Sequence, residues 1–104
     1  MSCTSLKSVQ VGKNVKKIHD FVFWECQSLT DVQLPESLEY IGTAVFNLCN
    51  SLISLKIPAN VTSMAEQMLP CCNNFETLIL TSKNTPYNAN IVYKCPKYKG
   101  VKYQ

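Results

Sequence analysis

Apolar residues recur along this chain with a period of 23 positions. Counted from the start of each unit, they fall three, six, eight, twelve, fifteen and twenty positions later, without an insertion and with one break, at Asn84. The units begin at cysteines that are themselves 23 positions apart: Cys3, Cys26, Cys49, Cys72 and Cys95. A fixed period of about 20 to 50 residues is typical of a solenoid, in which units too short to bury their own apolar face bury one another.

Each unit is predicted to contain a short β-strand and a tight turn. The residues six and eight positions after the cysteine are apolar, and the residue between them is polar in most units. This alternation predicts a strand with one buried face, and Pro35 and Pro58 end two of the strands. Later in the unit the apolar residues are three and four positions apart, which predicts a short helical or 3₁₀ turn. In the second unit these residues are Leu38, Ile41, Val45 and Phe46.

Stacking of these units predicts the fold. Consecutive strands would pair in parallel, about 4.8 Å apart. We therefore predict an α/β solenoid, a leucine-rich repeat fold of about four 23-residue turns with a parallel β ribbon on its concave face. Residues 1–104 would form a single domain, with repeats starting at Cys3, Cys26, Cys49 and Cys72, and residues 95–104 would form a closing strand that caps the C-terminal end.

Residues 26–49 carry the most complete copy of the repeat. Its pattern is Cys-x-Ser-Leu, a strand that ends in proline, and then Ile41-Gly42, Ala44 and Phe46. This pattern resembles the BspA-like leucine-rich repeats, also called the treponemal class. The resemblance covers the whole chain but weakens over residues 81–94. It implies protein recognition and cell-surface adhesion, as in bacteria and parasitic protists.

The six cysteines fit a disulfide framework, a metal site or a packed column. Residues at equal offsets stack in a solenoid, so the five periodic cysteines are expected to form an inward-facing column of small apolar side chains. Disulfides within it are disfavoured, because parallel Cβ vectors keep the Cβ atoms about 5 Å apart, beyond the usual ~4.5 Å. Cys71 lies outside the column and is expected to be the most reactive thiol. The expected core, with Cys26 and Cys49 reduced, includes Leu29, Ile41, Phe46 and Leu52.

No enzyme, metal or cofactor site is predicted. His19 is the only histidine, no cysteine pair has Cys-x-x-Cys spacing, and no glycine-rich phosphate loop, Gly-x-Ser-x-Gly or His-Glu-x-x-His motif occurs. The net charge of +3 is too small to indicate nucleic acid. Lysines and tyrosines interleave over residues 93–104, as they do in some nucleic-acid-binding segments, but a polar capping repeat accounts for them better.

Indications of location point in different directions. A column of reduced thiols suits the cytoplasm, whereas the family resemblance implies the cell surface. The N-terminal residues lack the apolar region of a signal peptide, and no apolar run reaches the ~20 residues of a membrane span. Asn60 begins an Asn-Val-Thr glycosylation motif, which also occurs by chance.

The outward positions of the predicted strands are the candidate binding surface. Solenoids bind protein partners on their extended concave face. Here that surface consists of Asp31, Gln33, Ser54, Lys56, Thr77 and Ile79. The alternative function is a structural or assembly unit, because nothing in this sequence precedes the first strand to cover it. Homodimerisation would then use Leu6, Val9 and Trp24.

Overall fold

The computed structural model describes residues 4–104. Cys3, the predicted start of the first repeat, lies outside the described residues. The chain winds as a solenoid of about four turns, in which short parallel strands stack turn upon turn. This confirms the predicted leucine-rich repeat solenoid. In chain order its elements are β1 (Ser8–Gln10), β2 (Lys17–Ile18), β3 (Asp31–Gln33), β4 (Tyr40–Ile41), β5 (Ser54–Ile57), β6 (Ser63–Met64), β7 (Leu69–Pro70), β8 (Thr77–Leu80), a 3₁₀ turn (Ala89–Ile91), β9 (Val92–Tyr93) and β10 (Gly100–Tyr103).

The first set of strands lies where alternating residues predicted it, and comprises β1, β3, β5, β8 and β10. Paired residues are 23 positions apart, as are Ser8 and Asp31, or Ser54 and Thr77. We call the surface formed by the outward side chains of these strands the strand face. Because successive side chains of a strand point to opposite faces, the apolar residues of each strand turn inward together.

The ribbon of strands is divided into two sheets. β1 pairs with β3, and β5, β8 and β10 form a second sheet, but no backbone hydrogen bond joins β3 to β5 anywhere in residues 4–104. Most Cα pairs between β3 and β5 are more than 8 Å apart. An equal repeat length fixes which residues face each other, but the distance between two turns depends on how the side chains beneath them pack. The sequence pattern therefore predicted the register and not this gap.

Strands replace the helical turn that was predicted for the second half of each repeat. β2, β4 and β6 form a second ladder, and β7 pairs with β9 in a third. Earlier turns join the third ladder through backbone bonds, such as Phe23 N to Val45 O at 2.9 Å. The 3₁₀ turn is the only helix in the part of the chain that the structure describes. A chain that turns tight corners also brings residues three and four apart onto one inner side, which is why the spacing resembled that of a helix.

The corners between the ladders use left-handed backbone at non-glycine residues. These residues recur with the same period in two columns: Phe21, Ala44 and Gln67 in one, and Glu25, Leu48, Cys71 and Lys94 in the other, with φ between 54° and 61°. A left-handed residue other than glycine costs roughly 1–2 kcal/mol. Packing of the stacked turns offsets that cost. Cys71 thus occupies a corner position, whereas its neighbour Cys72 belongs to the core.

The core contains the residues that the repeat predicted. Leu29, Ile41, Phe46 and Leu52 are fully buried together with Cys26 and Cys49, and these cysteines are reduced. The rings of Phe23 and Phe46 stack with centroids 5.5 Å apart. The glycine of the Ile-Gly motif is also explained, because a Cβ atom at Gly42 would lie 2.9 Å from the backbone nitrogen of Asp20 in the preceding turn.

Candidate functional site

A cleft of about 430 Å³ opens on the strand face, between β3 and β5. Five of the six predicted binding residues line it: Asp31, Gln33, Ser54, Lys56 and Ile79. The sixth, Thr77, is half-buried and lies opposite Ser54 in the adjacent strand. The remaining lining residues are Thr30, Val32, Leu34, Glu36 and Pro58. The structure therefore brings the predicted residues together around a depression that the sequence did not predict.

The two turns that border the cleft are held together on either side of it. Before the strands, Ser51 Oγ donates to the carbonyl oxygen of Gln27 at 2.6 Å. After the strands, Asn60 Nδ2 donates to the carbonyl oxygen of Glu36 at 2.8 Å. β4 and β6 also pair behind it. The gap is therefore a bounded opening between two joined turns. Asn60 Nδ2 is also the atom that a glycan would modify.

The cleft is lined by both charged side chains and apolar surface. Asp31 and Glu36 lie on the β3 side and Lys56 on the β5 side. The ion pair present among residues 4–104 joins Lys99 to Glu76 and leaves these three side chains available. Val32 and Leu34 are only partly buried. At the same two offsets in the next turn, Leu55 and Ile57 are 2% and 0% exposed.

The residues predicted for self-association lie on two different parts of the first described turn. Leu6 and Val9 are half-buried and pack against the core. Trp24 is 38% exposed and lies at a corner, three residues after the 51% exposed Phe21.

The cysteine column has a role that sequence reasoning missed. The thiols of Cys49, Cys72 and Cys95 each donate a hydrogen bond to a carbonyl oxygen of the preceding turn, 26 residues earlier. The Sγ–O distances are 3.2 Å from Cys49 to Phe23, 2.9 Å from Cys72 to Phe46 and 3.1 Å from Cys95 to Leu69. The column therefore links consecutive turns as well as filling space. The fixed spacing between cysteine and phenylalanine was the sequence feature that could have indicated these bonds.

Burial and the contact between Cys72 and Cys95 shift the pKa values of these thiols. Burial raises the pKa of Cys49 to about 12. The pKa of Cys72 is raised by its contact with Cys95 and by burial. The pKa of Cys95 is lowered, because Cys72 can donate a hydrogen bond to its thiolate. Buried thiols that stay protonated are inert, so the column is structural over most of its length.

The remaining candidate chemistry is sparse. Within residues 4–104, no group of three or more histidine, cysteine, aspartate and glutamate side chains could hold a metal ion. Nor does any helix in that range have the length and apolar character needed to cross a membrane. Three C-terminal lysines contact the protein itself: Lys97 bonds Asn74 at 3.0 Å, Lys99 pairs with Glu76, and Lys94 lies over the Tyr93 ring.

Solved structures of similar fold are bacterial leucine-rich repeat proteins. A leucine-rich repeat protein from Bacteroides ovatus is 27% identical with a TM-score of 0.83, and the match covers 97% of this chain and 26% of that one. A leucine rich cell surface protein from Faecalibacterium prausnitzii is 18% identical with a TM-score of 0.77, over 93% of this chain and 32% of that one. The T. pallidum Leucine Rich Repeat protein is 18% identical with a TM-score of 0.55, over 98% and 62%.

The chain thus spans less than two thirds of the length of each of these three structures. Comparison with curated proteins gave no significant match. The family model described as "BspA type Leucine rich repeat region (6 copies)" matches residues 1–104. Because that match includes the whole sequence, this chain belongs to the BspA-type leucine-rich repeat family.

Proposed function

We propose that this protein is a recognition module that binds another protein through the strand face, at the cleft between β3 and β5. Its family suggests a module for protein–protein interaction or recognition, and such repeats are generally non-enzymatic. The observation that carries the proposal is that five of the six outward positions predicted from the repeat border a single cleft. We propose no catalytic role and no cofactor.

The chemistry of the cleft favours a protein over other ligands. Sites for small molecules are usually enclosed and mostly apolar, with a few polar groups. This cleft is open and combines apolar surface with side chains of both charges. Asp31 and Glu36 would repel the phosphates of a nucleic acid. A protein segment can match both an acidic and a basic wall.

The location of the protein follows as a second part of this proposal. One structural neighbour is called a cell surface protein, and we propose recognition or adhesion at a cell surface for this chain too. The test is the digestion of the protein by an added protease on intact cells of its source. Protection on intact cells together with digestion after lysis would favour an internal location, which the reduced thiols suit.

Capture of partners with matched variants tests the binding face. The protein is immobilised and exposed to native extract as wild type, as Asp31→Lys with Lys56→Glu, and as Glu39→Lys. All three positions are exposed, so the variants should fold alike. We expect the double variant to lose the captured proteins and Glu39→Lys to retain them, since charge complementarity controls association. The opposite result would place the binding face elsewhere.

Self-association is a second candidate function, favoured by the exposed aromatic corner. Phe21 and Trp24 are large apolar side chains that are 51% and 38% exposed, and Leu6 and Val9 are only half-buried. Exposed apolar surface of this kind can mark an interface between copies. Sedimentation equilibrium tests it: a dimer that Trp24→Ser weakens supports assembly, and a monomer at high concentration rejects it.

A further inference from the structure

We infer that the cleft accepts one extended segment of the partner protein as an additional β-strand between β3 and β5. This inference rests on the proposed function and specifies how the partner is held. The inserted segment would join the two sheets of the strand face into one. All other neighbouring strands of this face pair with each other, whereas β3 and β5 do not. The inserted segment would supply the hydrogen-bond partners that these two strands lack.

β3 and β5 are too far apart to pair directly, as a site for an inserted strand requires. Neighbouring paired strands lie about 4.8 Å apart, so a strand inserted between two others needs a separation of about 9.6 Å. Most Cα pairs between β3 and β5 are more than 8 Å apart, which is too far for direct pairing along the whole strand. The bonds from Ser51 to Gln27 and from Asn60 to Glu36 limit the opening at both ends. The site therefore suits a short segment.

The backbone groups of both walls point into the gap. On β3, Asp31 N donates to Lys7 O at 3.3 Å and Gln33 O accepts from Val11 N at 3.0 Å, so these residues face β1. Backbone groups alternate along a strand, and those of Val32 must therefore face the cleft. On the other wall, Ile53 O accepts from Thr77 N at 3.2 Å. The same alternation directs the backbone groups of Ser54 and Lys56 into the cleft.

Such edges are templates for an added strand, because the main chain supplies the affinity and alternate side chains supply the specificity. The side chains around the cleft define that specificity. The first outward residue of the segment would lie between Asp31 and Ser54, and the next outward residue between Gln33 and Lys56. The residue between them would point inward to Val32. We therefore assign the sequence preference basic–apolar–acidic to a segment that runs parallel to β3.

A folded second copy of this chain does not fit the gap. A strand that enters between two others must have both of its edges available. The strands of this face are three or four residues long, and each already pairs with a neighbour along at least one edge. The occupant is therefore a segment that is extended and exposed in the partner, such as a loop or a terminus.

Binding of a short peptide tests the inference directly. The probe is a fluorescently labelled seven-residue peptide, Thr-Val-Lys-Val-Glu-Val-Thr with blocked ends. We expect saturable binding with a Kd below about 1 mM. Methylation of the central valine nitrogen removes one main-chain donor and should weaken binding at least tenfold. The amides of Val32 and Lys56 should exchange hydrogen more slowly in the complex. Absence of binding, or equal binding of the methylated peptide, would overturn the inference.

Charge exchange separates this inference from the proposed function. The Asp31→Lys, Lys56→Glu protein should bind the probe at least tenfold more weakly and should recover binding to the peptide with lysine and glutamate exchanged. A different outcome is that capture of proteins from extract depends on Asp31 and Lys56 while methylation leaves peptide binding unchanged. In that case the proposed binding face is correct and the inferred strand insertion is wrong. If capture does not depend on them, the proposed function itself fails.

Discussion

Truncation of Leu52 to alanine should remove a large part of the stability of this protein. Leu52 is fully buried at the offset that Leu29 and Phe75 occupy in the adjoining turns, and both of those residues are also fully buried. The substitution deletes three carbon groups at about 0.8 kcal/mol each, or about 2.4 kcal/mol. The cavity adds to that loss, because turns on both sides are tied by backbone ladders and relax little. We expect a total of about 3–5 kcal/mol.

The measurement is urea unfolding followed by circular dichroism, with the free energy of unfolding compared between variants. The total free energy of unfolding of a small domain is about 5–15 kcal/mol, so the expected loss is large enough to lower the urea midpoint clearly. Ile53→Ala is the matched control, since the adjacent Ile53 side chain is 54% exposed and its loss should cost less than about 0.5 kcal/mol. A cost under about 1 kcal/mol for Leu52→Ala, or an equal cost for Ile53→Ala, would refute the stacked core.

Three further predictions concern the corners and the thiols. Gln67→Gly should stabilise the protein by up to about 1 kcal/mol, because glycine adopts the left-handed backbone of this corner without the steric cost of a side chain. The control Glu66→Gly should destabilise it. Equal effects of the two substitutions in urea unfolding would count against strain at the corner. Burial raises the pKa of Cys49 from 9.0 in the unfolded chain to about 12, so its contribution to stability is complete below pH 9 and is lost as the pH rises towards 12. The unfolding midpoint of wild type should therefore fall more steeply over that range than that of Cys49→Ala. Labelling of the native protein with a maleimide should modify the half-exposed Cys71 and Cys95 well before the buried Cys49 and Cys72. Mass spectrometry of the digested protein gives the order of modification. Early modification of Cys49 would contradict the buried cysteine column.

Periodicity predicted much of this fold because stacking converts equal offsets into contacts. The pairing of Ser54 with Thr77 and the burial of Leu29, Phe46 and Leu52 all follow from one repeat length. The outward positions of the strands follow as well, since side chains alternate between faces. The six candidate binding residues could therefore be identified without coordinates, and five of them border the cleft.

The features that escaped prediction have no periodic signal of their own. The cleft arises from a difference in spacing between two turns of equal length. The left-handed corners are occupied by residues such as Phe21, Leu48 and Lys94 in place of glycine, so composition did not mark them. The helical spacing of Leu38 and Ile41 was ambiguous, because a tight corner and a helix place similar residues on the inner side.

The ladders determine how this protein would respond to tension. Their hydrogen bonds run along the direction in which the turns stack, so a pull along that direction opens them one after another and does not shear a whole ladder at once. Each turn released would lengthen the chain by 23 residues, or about 80 Å. The boundary between β3 and β5 has the fewest such bonds on the strand face and would part first. A partner strand bound there would add hydrogen bonds across this boundary, so the partner-bound protein would resist force better than the unbound protein.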